Sequence, residues 1–410
     1  MVPPFIISFW NAPPKAETTL ERYQEIADCG FNVVLPAFAG NDANHAEGLG
    51  DEHNRLVLDL CRQVGLKAVI WAGMPHGDWS APTVEETAKM EKFLDVIIAK
   101  FSAHPALLGF FVHDEPSTGM FARLATENLY LLKKDPQHLP YINLLPNYAH
   151  DPDWKGAAYE RSVAQYLDTV KPILLSWDHY RQMFEESGDE SFYWENLEIM
   201  RKLALRAGIP FNQIIVSMKH FGYRECSEAD LRWQVYTSMA YGSRGIQYYT
   251  YWYVPELAWA EAPALITKDG KRDIKWEYVK KINHRVARLG PTLMQLTSTG
   301  VYCTDPVPIG ASRIAADAPV RKAEGGAMVI GCFRDAGGRE YIMPVNRSFR
   351  ETLTFKLSMA DRVASVAEVS QATGELLAAA PLKNKVFELT LEAGEGRLLR
   401  LDGKVQSQSS

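Results

Sequence analysis

Along residues 1–296 the chain keeps one rhythm: a short apolar run, a polar break, then a segment with apolar positions three and four apart. The apolar runs fall at 5–10 (FIISFW), 31–38 (FNVVLPAF), 66–72 (LKAVIWA), 107–112 (LLGFFV), 140–145 (PYINLL), 173–177 (ILLSW), 211–218 (FNQIIVSM) and 245–252 (GIQYYTYW). Helical segments follow them at 17–29, 51–64, 83–102, up to 134, 159–170, 192–207, from Ser227 to about Tyr241, and 275–288. Gly30, Gly65 and Gly208 stand where helices end. Ser227-Glu-Ala-Asp230 resembles a capping box, and the last helix is expected to stop before Gly290-Pro291. Near-continuous apolar runs are the mark of strands buried on both faces, as in a parallel sheet. Eight strand–helix repeats predict a (β/α)8 TIM barrel in the α/β class. A doubly wound sheet is the alternative, but no GxGxxG follows the first strand.

From Gln295 onward the pattern changes to period-2 alternation, at 327–333 (AMVIGCF), 339–345 (REYIMPV), 352–357 (TLTFKL) and 386–391 (VFELTL). Asp335-Ala-Gly-Gly338, Asn346-Arg-Ser348 and Ala393-Gly-Glu-Gly396 separate these runs as turns. The expectation is a barrel over 1–296, a C-terminal antiparallel β-sandwich over 297–403, and a disordered tail over 404–410.

The 410 residues suit a large barrel plus a smaller domain. Hydrophobic content of 47% and charged content of 23% are ordinary for a globular chain. A net charge of −6 supplies no basic field for nucleic acid, which removes that class of partner. No stretch is apolar enough for a membrane helix, and MVPPFIISFW has no basic n-region or cleavage site. A trimmed leader would leave the same start, so the compartment stays open. Five scattered cysteines without CxxC spacing indicate neither a disulfide framework nor a zinc site. No EF-hand loop or P-loop is present, so neither metal nor nucleotide cofactor is expected.

The chain's most informative stretch is 107–116, LLGFFVHDEP, where His113, Asp114 and Glu115 follow an apolar run without a break. In a barrel the residues just past each strand converge on one mouth, and catalytic groups gather there. The other mouth candidates are Asn11, Phe38 with Asn41 and Asp42, Trp71 with His76, Asn147, Trp177, Asp178, His179, Tyr180, Lys219, His220, Tyr249, Tyr251 and Trp252. Carboxylates, histidines and aromatics dominate this set, and no helix carries HExxH. Serine or cysteine triads and zinc hydrolysis are therefore poorly supported. Carboxylates among aromatics suit glycoside hydrolysis, in which one carboxyl protonates the leaving oxygen and a second acts as nucleophile or base. Each position also has a plainer reading: Asp178 as a structural loop residue, the histidines bonded to backbone, the tryptophans as core.

With those residues in place, the chain resembles the clan A (β/α)8 retaining glycosidases that include families 5 and 42. In that clan the acid/base Glu ends strand 4 in an Asn-Glu(-Pro) motif, and Asp114-Glu115-Pro116 occupies that place here. The resemblance implies Glu115 as acid/base, with Asp114 where the Asn that binds the sugar 2-hydroxyl normally stands. The segment SEADLRWQVYTSMAYGSRGIQYYTYW, with the Asp-Glu-Pro and Asp178-His179-Tyr180 motifs, is similar to bacterial glycosidase-like barrels that carry a C-terminal β domain. One departure is clear. The clan's nucleophile is a Glu ending strand 7, and strand 7 here ends Ser217-Met218-Lys219-His220. The expected partner carboxylate is Asp178, then Glu225, with Glu256 and Glu261 in the loop after strand 8 as further candidates and Trp259 as a residue that closes over a ligand. The substrate expected is a carbohydrate, an oligosaccharide or glycoside, with a β-galactoside as the family analogy. Two other functions fit the same residues: a carbohydrate-binding protein on a degenerate barrel, and a Schiff-base lyase or aldolase using Lys219.

Overall fold

A computed structural model describes residues 4–35, 50–71, 81–183, 190–253 and 262–403. Its first part is a closed ring of eight parallel strands: β1 (Ile6–Phe9), β2 (Val33–Val34), β3 (Lys67–Trp71), β4 (Leu107–Asp114), β5 (Leu139–Asn143), β6 (Leu175–Asp178), β7 (Phe211–Val216) and β8 (Gly245–Tyr249). Two four-stranded sheets, ordered β1-β8-β7-β6 and β2-β3-β4-β5, make up the ring. At one seam Leu144 N donates to Ser176 O at 2.9 Å.

The other seam depends on a side chain. Asn32 N donates to Ile7 O at 3.0 Å. The Asn32 amide then accepts from Ile7 N and donates to Phe5 O, both at 2.8 Å. One amide thus supplies the bonds that the very short β2 does not. At the β4–β5 pair, a Cβ on Gly109 would lie 2.0 Å from Leu139 O, so glycine alone allows these strands their spacing.

Eight helices surround the ring: α1 (Leu20–Asp28), α2 (Gly50–Val64), α3 (Val84–Phe101), α4 (Phe121–Lys134), α5 (Ala157–Val170), α6 (Glu190–Ala207), α7 (Glu228–Ala240) and α8 (Ile274–Leu293). Capping boxes open α3 (Thr83 with Glu86) and α7 (Ser227 with Asp230). α8 does not stop before Gly290-Pro291. It runs through them, because Met294 N still reaches Gly290 O at 2.9 Å and Gly290 fits against Phe5. α1 is shorter than expected and follows a 3-10 turn at Lys15–Glu17.

α7 has no polar face: every residue from Asp230 to Ala240 is buried. It packs against β7 and β8 on one side and against the C-terminal sheet on the other. A helix covered on both sides needs no amphipathic stripe.

That C-terminal region consists of β9 (Leu296–Cys303), β10 (Val320–Glu324), β11 (Met328–Asp335), β12 (Glu340–Asn346), β13 (Leu353–Met359), β14 (Val363–Glu368), β15 (Ala380–Pro381), β16 (Val386–Leu391) and β17 (Leu399–Gly403). They pair antiparallel in a six-stranded sheet, β15-β14-β17-β12-β11-β9, and a three-stranded one, β10-β13-β16. Alternation along β11 serves two cores. Val329 and Phe333 join the barrel-side cluster, while Met328, Ile330 and Cys332 join a second cluster with Phe355, Leu357 and Met359 of β13. β11 approaches α7 so closely that a Cβ on Gly331 would sit 2.1 Å from Ala240 O. Among the described residues no helix is long and apolar enough to cross a membrane. The tail 404–410 lies outside the described residues.

Replacing Asn32 with Ala leaves Ile7 N and Phe5 O without their partners at the ring seam. Each stranded backbone group costs about 1–3 kcal/mol. Urea denaturation of Asn32→Ala is expected to show a loss of about 2–4 kcal/mol, and an unchanged midpoint contradicts this account of closure.

Candidate active site

At the end of β4 the pairing slips between Phe111 and His113, a bulge that brings Asp114 opposite Asn143 of β5. Glu115 follows in the left-handed region at φ 50°, with its N–H bonded to Asn143 O at 2.9 Å. A non-glycine residue held there stores about 1–3 kcal/mol of strain. Asn11 (φ 60°) and Phe221 (φ 48°), just past β1 and β7, are strained the same way.

Asn143 ties three strands together. Its amide nitrogen donates to Asp114 Oδ1 at 3.1 Å and to Asp178 Oδ1 at 3.2 Å. Its oxygen accepts from Ser176 Oγ at 3.1 Å. Below, Ser176 Oγ meets the Tyr141 hydroxyl at 2.8 Å, which accepts from Gln247 Nε2 at 2.7 Å. A polar ladder therefore crosses the barrel interior and ends in carboxylates.

Asp178 also lies within electrostatic reach of Glu115. Asp178 is only 5% exposed. Asp114 and Glu115 meet solvent on the cavity side, although protein surrounds them elsewhere. All three carboxyls are pushed upward, with burial as the largest cause. The Glu115 charge adds to the push on Asp114, and the Glu115 and Asp114 charges add to that on Asp178. Access to water moderates the effect for Asp114 and Glu115; Asp178 has no such relief. Glu115 and Asp178 titrate as a pair that holds protons more tightly than free carboxyls do.

A cavity of about 850 Å³ opens above these groups. Trp10, Tyr148, Tyr180, Tyr223 and Tyr249 supply its aromatic walls, and Phe221, 58% exposed, stands among its lining residues. Tyr180 stacks on Tyr249 at 5.6 Å, and His220 packs between Tyr180, Tyr223 and Tyr249. Burial, then the charges of Asp114, Asp178 and Glu115, push the Tyr249 hydroxyl upward, so it remains a donor. Among the described residues no group of three His, Cys, Asp or Glu side chains is placed to hold a metal ion.

Of the residues expected at the mouth, Asp114, Glu115, Asp178, Tyr180, His220 and Tyr249 line the cavity together. Trp177 does not: Ser176 and Asp178 point inward, so alternation sends Trp177 outward, fully buried against Phe211. His179 sits behind the wall, its Nδ1 2.8 Å from Gln182 Oε1 and its ring edge-on to Tyr148. Trp10 rather than its neighbour Asn11 faces the cavity, and Asn11 O accepts from Trp252 N at 3.0 Å. Trp71 packs on Phe111, Tyr251 on Phe9 and Phe31, and Trp252 lies under the Arg22 guanidinium. His113 Nδ1 is 2.6 Å from Asp114 O and outside the lining, as is Lys219. Asn147 ties its loop to Phe192 and Asn196. Glu225 forms an ion pair with Lys275, which is also 3.0 Å from Asp273, and does not line the cavity. Phe38, Asn41, Asp42, His76, Glu256, Trp259 and Glu261 lie outside the described residues.

Among the aromatic lining residues Trp10, Tyr148, Phe221 and Tyr223 were not anticipated, and neither were the polar His150 and Asp151. Nor was Asn143. Its signal was a lone polar residue in the apolar run PYINLL, on the face where Tyr141 also points inward.

The barrel and its mouth define a clan A glycoside hydrolase-like fold. Over 97% of the chain and 98% of its counterpart, it resembles a catalytic mutant of a family 42 β-galactosidase from G. stearothermophilus, with TM-score 0.64 and 10% identity. A β-galactosidase from Bacillus circulans sp. alkalophilus matches at TM-score 0.63 and 8% identity, over 98% and 99% of the two chains. A family 5 glycoside hydrolase from Bacteroides vulgatus ATCC 8482 matches at 0.55 and 12%, over 98% and 89%. The β-galactosidase from the psychrophilic Marinomonas ef1 is longer: the match covers 69% of this chain and 59% of that one, at TM-score 0.51 and 10% identity. No family model and no curated protein matches the sequence.

The raised carboxyls carry a sign. Each binds its proton more tightly in the folded state, so its contribution is fully present below the ordinary carboxyl range and is lost as pH rises through the raised value. Asp178→Asn keeps an oxygen for Asn143 and removes one charge. It is expected to be more stable than the parent by about 1 kcal/mol at neutral pH. The gap is expected to close near about pH 4, where free carboxyls protonate. Thermal melts across that range check this, and a constant gap contradicts it.

Proposed function

We propose that this chain is a glycoside hydrolase with Glu115 as general acid/base and Asp178 as its partner carboxylate. One observation carries the reading. Asp114, Glu115 and Asp178 line one aromatic-walled cavity at the carboxyl ends of the strands, with the Asn143 amide bonded to both aspartates. The acid must hold a proton, and burial raises the Glu115 carboxyl, although the neighbouring Asp178 pulls it down and is itself pushed up. The aromatic walls present apolar faces for sugar rings, and the remaining polar groups can meet hydroxyls. Similarity of fold to the retaining clan A enzymes makes retention the outcome to test first. Similarity of fold to β-galactosidases makes a β-galactoside one substrate to try first. The lyase reading has less support, because Lys219 is not among the residues that line the cavity.

Glu115→Gln tests the role directly. Hydrolysis of glycosides with poor leaving groups is expected to fall by about 100-fold or more, while aryl glycosides with activated leaving groups lose far less. Equal losses across the leaving-group series remove Glu115 as the acid. Tight sugar binding by the parent without any turnover favours the non-catalytic alternative.

A further inference from the structure

The turn after β7 carries a feature that the chemistry at Glu115 does not use. Tyr223 N donates to His220 O at 2.8 Å, which closes a four-residue turn over His220-Phe221-Gly222-Tyr223. Its central residues stand at φ 48° (Phe221) and 80° (Gly222). Two positive φ values in succession are the pattern of a type I′ turn, whose easiest pair is Asn-Gly. A phenylalanine at the first of them is strained, because its Cβ crowds the following carbonyl. Burial of the ring does not offset that strain. Phe221 is 58% exposed, while His220 and Tyr223 on either side of the turn are buried. The turn is fixed at its base. Ser217 N donates to Tyr249 O and Arg224 N to Met183 O, both at 2.7 Å, and Cys226 Sγ donates to Val216 O at 3.5 Å.

The place of the ring gives it a use. Phe221 lines the same cavity as Glu115 and Asp178. Tyr249 feels the charges of all three carboxyls, His220 packs on Tyr249 at 5.3 Å, and Phe221 packs on His220 at 5.5 Å. Phe221 therefore stands two ring contacts out from the wall beside the carboxyls, with its ring open to solvent. Below the carboxyls the barrel is filled by the Asn143–Ser176–Tyr141 ladder. A sugar held at Glu115 has a closed floor beneath it, and the rest of the substrate extends toward the opening. The C–H bonds on one face of a pyranose pack against the electron-rich face of an aromatic ring.

Given the glycosidase reading, on which this depends, we infer that Phe221 is a platform for the leaving group. The preferred substrates are then glycosides whose leaving group is a second sugar ring rather than a small alcohol. The outer ring stacks on Phe221 while the inner one meets Glu115. A platform fixed before the substrate arrives costs little to order, and the backbone strain is the cost of holding it there. Asparagine would make an easier turn and leave the outer ring without a surface.

The experiment pairs disaccharides with methyl glycosides of the same inner sugar: lactose with methyl β-galactoside, cellobiose with methyl β-glucoside, β-mannobiose with methyl β-mannoside, and the α-linked counterparts of each. Both members of a pair release an alcohol, so they differ chiefly in the second ring. Phe221→Asn gives the turn its preferred residue and removes the ring; Phe221→Trp keeps an aromatic face. The parent is expected to favour the disaccharide of at least one pair. Phe221→Asn is expected to melt at or above the parent's temperature, and its kcat/KM is expected to fall about 10-fold further on that disaccharide than on the methyl glycoside. Phe221→Trp is expected to keep the parent's preference. An Asn variant whose preference matches the parent's overturns the inference, whether its rates hold or fall together. So does a parent that cleaves glycosides, aryl ones included, without favouring a disaccharide. Both outcomes leave the glycosidase reading intact. A lower melting temperature for Phe221→Asn shows that the ring is held for packing and overturns the inference as well. If the parent cleaves no glycoside, the glycosidase reading fails, and the platform fails with it.

Discussion

One amide organises the site. Asn143 donates to Asp114 on one side and to Asp178 on the other, and its backbone oxygen holds the N–H of Glu115. Three carboxyl groups on strand ends repel one another, and burial makes the repulsion worse. A neutral donor between two of them limits that cost without cancelling their proton affinity. A cation in the same place would neutralise the charges and remove the acid. The ladder through Ser176, Tyr141 and Gln247 fixes the rotamer of Asn143 from below, so the site inherits the rigidity of the barrel interior.

The walls follow a similar logic. Tyr148 lines the cavity, and its oxygen accepts from the Tyr180 backbone N–H at 3.0 Å; His179 packs against its ring from behind. Gln182 links His179 to Gln234 on α7, and Gln234 in turn bonds both the N–H and the carbonyl of Val216 at the end of β7. Buried amides and aromatics thus hold the strand ends in one arrangement, the left-handed backbones of Asn11, Glu115 and Phe221 included.

Much of this was legible in the residues. The eight apolar runs, the capping box at Ser227 and the Asp-Glu-Pro sequence led to the barrel and to Glu115, since each rests on local chemistry. The wall was less legible. Whether a strand-end aromatic faces the cavity depends on one residue of phase, and phase is set by pairing with the next strand. Trp177 and Trp10 show this: Trp177 points outward between Ser176 and Asp178, and Trp10 lines the cavity where Asn11 was expected. Asn143 was passed over because its partners come from β4 and β6, about 30 residues away on either side. Glu225 stood near enough in sequence to be a candidate, but Lys275, from the start of α8, takes it up.

The placement of α7 has a consequence for heredity rather than chemistry. This helix is walled in by the barrel on one side and by the C-terminal sheet on the other, with Gly331 pressed against its backbone. The Arg232 guanidinium and the Trp233 indole donate to the carbonyls of Ala393 and Arg347 across the boundary. Stripped of the C-terminal sheet, α7 would expose Trp233 and Tyr236 and leave Arg232 without its carbonyl partner, so substitutions on either side of this boundary are constrained by the other.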